Sequence, residues 1–275
     1  MREFESLQGR QMMVLKKWSM KASMAVLASA LAFSAAAKAA DVHVLATGAL
    51  SVAFKQLVPA FERDTGNHLL ISWGPSYGSS PDALPMRIKS GEPMDVCFMI
   101  GAALDEQIKQ GVFIPETKAD IAESAIGVAV RPGIPKPDVS TPEKLKEALL
   151  SAKSVAFSEG ASGTYITGTL FPKLGIAEQM KQKSVLIKGR ELVGAALQRG
   201  DADLGLQQIS ELKAFKEIQF IGPLPREVQK VSVISAAVSK NAQQAEAAKA
   251  FIAYLKSKTA VAIFDSTGLE PPQAN

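Results

Sequence analysis

The sequence predicts an α/β protein built as two lobes, and three observations carry that reading. From Asp41 onward, short β-rich runs alternate with amphipathic helical stretches. Loops dense in glycine and hydroxyl residues follow several of the strands. A second block of the same kind opens near Ser124, and the rigid connection Arg131 to Asp138, with three prolines, follows its first strand. The simplest arrangement has residues 41–124 and 238–275 in one lobe and 125–237 in the other, with extended crossings between them and a ligand cleft where they meet.

In the first block, Val42–Ala46 is a candidate strand that ends in Thr47-Gly48-Ala49. Leu50 to Asp64 then has helical spacing, with Leu50, Phe54, Leu57, Val58 and Phe61 on one face. His68–Trp73 is the next strand, followed by a breaker-rich loop and a short helix from about Pro81. Met94–Ile100 and Leu104–Gln110 complete a third strand–helix pair. In the second block, Ile126–Val130 is a strand. Thr141 is an N-cap with Pro142 at the first helical position, and that helix runs to about Ser151. Ser154–Phe157 and Leu204–Leu206 are short strands, Val231–Ser239 is β-rich, and Ala242–Leu255 is an amphipathic helix.

The first forty residues differ in kind. Lys16, Lys17 and Lys21 precede an apolar run from Met24 to Ala37, and small residues follow to Ala40, which is the pattern of an export signal cleaved near Ala39 or Ala40. The run is shorter than the ~20 residues of a membrane-spanning helix. No cysteine stands at the cleavage point for a lipid anchor. Residues 1–40 hold six of the 31 Lys/Arg and two of the 27 Asp/Glu, so the formal charge of +4 belongs to this segment. The remaining 25 basic and 25 acidic residues cancel, which argues against nucleic acid as a partner. Cys97 is alone and lies in an apolar strand. It and two histidines are too few for an ordinary zinc site, so no metal or other cofactor is expected. His43 and His68 fall near the beginnings of their strands, away from the expected cleft. No G-x-S-x-G elbow and no phosphate-binding loop ending in Gly-Lys-Ser/Thr is present.

In open α/β sheets ligands bind where strand ends meet helix starts. The candidates there are Gly48 and Ala49 in the first turn, Ser76, Tyr77, Gly78, Ser79 and Ser80 in the second loop, and Ser158, Ser162, Gly163 and Thr164 in the third. Gln207 and Gln208 leave the strand at Leu204–Leu206. Backbone N–H groups and hydroxyls at these turns suit a small anion. Arg131 is either a bidentate fork for a carboxylate or a solvated surface arginine. Glu159 is either a proton-transfer group or a solvated cap, and Tyr77 and Tyr165 are either hydrogen-bonding walls or packing residues.

Several stretches together carry a resemblance to a known family: Val44–Ala49, Met94-Asp95-Val96 after Gly91, Arg131–Asp138, Ser162–Tyr165 with Leu174-Gly175-Ile176, Leu204–Ser210 and Ile221–Pro225. The chain from Val42 to Gly268 resembles the type II periplasmic binding proteins of the molybdate-binding branch. The resemblance implies the two-lobe fold, a periplasmic location and a monomer. Molybdate-binding members place a serine in the first turn, where this chain has Gly48-Ala49, and their serine-pair loop is here the longer Gly74–Ser80. Those departures imply a bulkier organic anion. The branch includes periplasmic aconitate isomerases, to which the loops are similar. On that resemblance Glu159 is the first candidate for a proton shuttle and Tyr165 the second, with Arg131 and the helix starts holding carboxylates. The other activity it implies is solute reception for transport, with an ABC permease as partner.

Overall fold

The chain enters its first sheet on β1 (Asp41–Ala46), where Val42 and Val44 turn inward while Asp41 and His43 face out, the period-two pattern of a strand with one wet face. The computed structural model describes residues 39–272, so the export segment, apart from Ala39 and Ala40, lies outside the described residues. A short 3-10 turn (Gly48–Leu50) leads into α1 (Ser51–Thr65). This helix buries Phe54, Leu57 and Phe61 as their spacing predicts, and it ends where Gly66 takes φ 74° and its N–H bonds Glu62 O. Next come β2 (His68–Trp73), α2 (Leu84–Lys89), β3 (Val96–Ile100), α3 (Gly101–Lys109) and β4 (Ala119–Ser124).

The second block holds β5 (Ile126–Val130), α4 (Pro142–Ser151) and β6 (Val155–Ser158). Thr141 caps α4, its Oγ1 accepting from Lys144 N at 3.2 Å. After β6 come α5 (Ala161–Tyr165), a wider π turn (Ile166–Leu170) and α6 (Phe171–Lys173), then α7 (Ala177–Lys181), β7 (Ser184–Ile187) and α8 (Val193–Arg199). β8 (Leu204–Gln208), α9 (Ile209–Leu212), β9 (Gln219–Pro223), β10 (Ser232–Val238), α10 (Ala245–Tyr254) and α11 (Lys258–Thr267) complete the described chain.

Two five-stranded sheets result, ordered β2-β1-β3-β10-β4 and β7-β6-β8-β5-β9. In each, three neighbouring strands run parallel, and the strand at a crossing between the lobes, β10 in the first sheet and β5 in the second, runs antiparallel to its neighbour among them. This is the two-lobe type II arrangement. The chain crosses once between β4 and β5 and again between β9 and β10. Because β10 pairs with β3 and β4, the return to the first sheet precedes Ser232 and not residue 238, the boundary expected from the sequence. Gln229 on the return crossing clamps the outgoing one, accepting from Ile126 N and donating to Ile126 O, both at 2.9 Å.

The first sheet is sandwiched. On one face Phe54 of α1 meets Phe98 of β3 and Phe251 of α10 edge-on, with ring centroids 5.4 and 5.3 Å apart. On the other, Cys97, Met99, Leu104 and Phe113 are buried together, and burial pushes the Cys97 thiol well up. The second sheet packs Leu145, Phe157, Ile166 and Phe171 on one side and Val193, Leu197 and Leu212 on the other. With both faces of each sheet covered, the strand ends and the loops beyond them remain for a ligand.

Candidate functional site

The carboxyl ends of β1, β2, β6, β7 and β8 surround one cavity. Thr47, Gly48, Ala49 and the Trp73–Ser76 stretch line it from the first lobe. Ser158, Gly160–Ser162, Gly189–Leu192, Gln207, Gln208 and Glu211 line it from the second. On the first-lobe side, the turn at Gly48 runs directly into α1. The N–H groups of a first helical turn have no partner inside the helix, so this turn offers donors to an anion. Ser76 Oγ accepts from Ile100 N at 3.0 Å, pinning the second loop to the end of β3 and leaving the hydroxyl proton to donate elsewhere.

On the second-lobe side, Ser158 and Ser162 place their hydroxyl oxygens 3.4 Å apart at the start of α5. Gly163 behind them has no room for a side chain, since a Cβ there would lie 1.6 Å from Ser158 O. Gln207 Oε1 accepts from Val193 N at 2.8 Å and so holds the start of α8. Gln208 Oε1 accepts from Ser124 Oγ at 2.8 Å, joining the end of β8 to the end of β4 in the other lobe. Its Nε2 is buried without a protein partner, a donor left for a ligand.

Glu211, in α9, is the residue that reading the sequence missed. It is 8% exposed. Burial pushes its carboxyl up from the ordinary 4.5 to about 8, against the opposing pull of hydrogen bonds from the Gln208 backbone and the Gln207 side chain. It reaches across the cleft: a Cβ on Gly48 would sit 2.7 Å from Glu211 Oε1. A residue without a side chain at 48 is thus what lets this carboxyl lie against the first turn of the opposite lobe. Arg190 lines the same cavity from an exposed position, and Glu191 beside it pairs with Arg199 at 2.5 Å.

The model of the bacterial extracellular solute-binding proteins matches residues 42–270. The chain belongs to that family. Among curated relatives, this solute-binding protein is 38% identical over 250 residues to an aconitate isomerase of a Pseudomonas species, covering 91% of this chain and 95% of the relative. It is 24% identical over 241 residues to the molybdate-binding protein ModA of Azotobacter vinelandii, covering 85% and 91%. Among solved structures, the Azotobacter vinelandii periplasmic molybdate-binding protein superposes with a TM-score of 0.68 at 21% identity, over 84% of this chain and all of that one. The sulfate-binding protein SubI of Mycobacterium tuberculosis gives 0.65 at 18%, over 84% and 87%. Those two structures show the fold.

Seven of the residues singled out from the sequence line the cavity of this solute-binding protein: Gly48, Ala49, Ser76, Ser158, Ser162, Gln207 and Gln208. Others stand elsewhere. Arg131 is a correction: β5 runs antiparallel to β8, so the end of β5 lies at the beginning of β8, opposite the cleft, and Arg131 Nε bonds Asp203 Oδ1 at 2.8 Å. Tyr165 turns to the return crossing and donates its hydroxyl to Val228 O at 2.9 Å. With Tyr77 and Thr164 it lines a neighbouring groove that meets the cavity at Ile100 and Ala161, and desolvation raises both phenols. Thr164 Oγ1 donates to Gly160 O at 3.0 Å. Ser79 is exposed, and neither it nor Ser80 lines the cavity, because the long loop carries them past its rim. Glu159 is not among the residues that line the cavity. Its Oε1 accepts from Gly189 N at 2.8 Å, and its side chain fills the space beside Gly78, whose φ is 115°.

Proposed function

We propose that this protein is an isomerase that interconverts trans-aconitate and cis-aconitate by an allylic proton shift. The observation that carries the reading is the likeness to the Pseudomonas aconitate isomerase, 38% identical over 91% of this chain and 95% of that enzyme. The cleft supports it in kind. Helix starts, three serine hydroxyls, the free amide donor of Gln208 and Arg190 suit several carboxylates, and a buried carboxyl stands among them.

The reaction moves one proton. A methylene C–H next to the double bond breaks, and its electron pair spreads over the allylic carbons and their carboxylates. A C–H bond then forms at the former vinyl carbon, so the double bond moves by one position and its geometry is reset. Backbone N–H groups aimed at the carboxylates stabilise the dienolate-like charge as it develops, and closure of the lobes excludes water from the carbanion. The sequence is neutral in oxidation state and needs no redox cofactor. The N-terminal segment supports export to the periplasm by a signal cleaved near Ala39 or Ala40, with a small anion from that compartment as the substrate.

The family match itself favours a second reading, a receptor that delivers a small organic anion to an ABC permease without changing it. Proton NMR of the mature protein with trans-aconitate in D₂O separates the two. Appearance of cis-aconitate with deuterium on carbon is the expected result. No conversion, with tight calorimetric binding of another anion, would leave only the receptor.

A further inference from the structure

We propose that Glu211 is the proton carrier of this cleft: its carboxylate takes the methylene proton of trans-aconitate, and the carboxyl so formed returns a proton to the former vinyl carbon. The inference rests on the isomerase reading and assigns the group that performs it.

Position is the first support. Among the described residues that line the cavity, three side chains titrate or carry charge: Arg190, Glu191 and Glu211. Arg190 offers N–H donors and no acceptor, which suits a substrate carboxylate and not the proton of a carbon acid. Glu191 is exposed and engaged by Arg199, whereas Glu211 is more than nine-tenths buried. The side chains that looked suited to the role are occupied elsewhere, Glu159 on Gly189 N and Tyr165 on Val228 O.

The surroundings of Glu211 point the same way. The bare backbone of Gly48 opens a slot into which the carboxyl fits, in contact with the first turn of the other lobe. In the same cavity wall Gln208 Nε2, buried and unpartnered, is a hydrogen-bond donor available to a substrate carboxylate. A base within reach of a bound, oriented carbon acid is the arrangement that proton abstraction requires. A carboxylate kept from water is also a stronger base than a hydrated one, and burial raises this one.

The step balances with one group. The methylene C–H breaks, its proton goes to a Glu211 oxygen, and its electron pair enters the allylic system. The Glu211 O–H then breaks as the new C–H forms at the far end of that system. The cycle runs from the ionised form, whose share grows as pH rises toward about 8, and Glu211 finishes as the carboxylate it began as. Since the cavity offers no second buried titratable side chain among the described residues, the proton that leaves and the proton that returns pass through the same carboxyl.

Glu211→Gln keeps the shape and removes the base. With trans-aconitate and the full mature chain, kcat should fall at least about hundredfold, while the calorimetric Kd stays within about threefold of wild type. An active wild type with a variant that keeps more than about a tenth of its kcat overturns the assignment and leaves the isomerase reading standing. An inactive wild type overturns both. A second measurement needs no variant: trans-aconitate deuterated at its methylene, turned over by wild type in H₂O and quenched early. Mass spectrometry should find part of the deuterium on the new methylene of cis-aconitate. Product of the first turnovers that keeps deuterium only on its vinyl carbon, with none on the new methylene, overturns the single-carrier step.

Discussion

Glu211→Gln should flatten the dependence of stability on pH, whatever the protein turns over. In the unfolded chain this carboxyl titrates near its ordinary 4.5, and in the folded chain burial holds it at about 8. Below 4.5 both states are protonated and the folded state keeps its full stability. Between 4.5 and about 8 the folded state retains a proton that the unfolded state has released, so stability falls as pH rises, and above about 8 the loss is complete. At about 1.4 kcal/mol per pH unit over that interval, the ceiling is about 5 kcal/mol. Parting of the lobes, which returns water to the carboxylate, relieves some of this, so the observed difference should lie between about 1 kcal/mol and the ceiling. Glutamine has no such titration. Guanidinium unfolding of both proteins at pH 5 and pH 8.5 measures the effect, because every other titrating group is common to the two and cancels. Parallel pH dependences, within about 0.5 kcal/mol, would refute the claim that Glu211 is buried as an acid.

Three further substitutions separate the roles of neighbouring residues. Arg131→Ala removes an ion pair with Asp203 on the side opposite the cleft. It should cost roughly 1 kcal/mol in denaturant unfolding and leave calorimetric affinity for trans-aconitate within about twofold; a loss of tenfold or more, about 1.4 kcal/mol, would return Arg131 to the site. Gly48→Ala puts a methyl group 2.7 Å from Glu211 Oε1 and 3.3 Å from Leu192 Cδ2, so the carboxyl must move or the lobes stop short of closure. Turnover by NMR should drop by about tenfold or more, with far-UV circular dichroism unchanged, and full activity would show that the carboxyl does not need that slot. Tyr165→Phe deletes the bond to Val228 O on the return crossing. It should lower stability by about 1 kcal/mol with kcat within about twofold, whereas a hundredfold fall in kcat would restore the phenol as a proton-transfer group.

Local chemistry made much of the fold legible. The buried face of α1, the Thr141 cap on α4 and the period-two burial of β1 depend on spacing within one segment, and each is visible without the rest of the chain. The less patterned elements were not legible. β4 carries Asp120 and Glu123 within its six residues, and β7 and β9 acquire their place only by pairing with β6 and β5. The strand exits that form the cleft were readable for the same local reason, since glycine and serine at a strand-to-helix turn mark close approach and free N–H groups in any context.

Tertiary structure decided which charged groups belong to the site. Arg131 and Gln208 both leave the ends of second-lobe strands, and nothing local says that β5 opposes β8 and so sends them to opposite ends of the sheet. Glu211 reads as an ordinary acidic residue in the first turn of a short helix, and only the approach of Gly48 from the other lobe turns it into a buried carboxyl with a raised affinity for its proton. The sequence by itself determined the strongly patterned elements and the small, uncharged turns between them, because propensity and period act over a few residues. Strand direction and burial depend on contacts between residues far apart in the chain, so the choice of Glu211 over Glu159, Tyr165 and Arg131 belongs to the folded molecule.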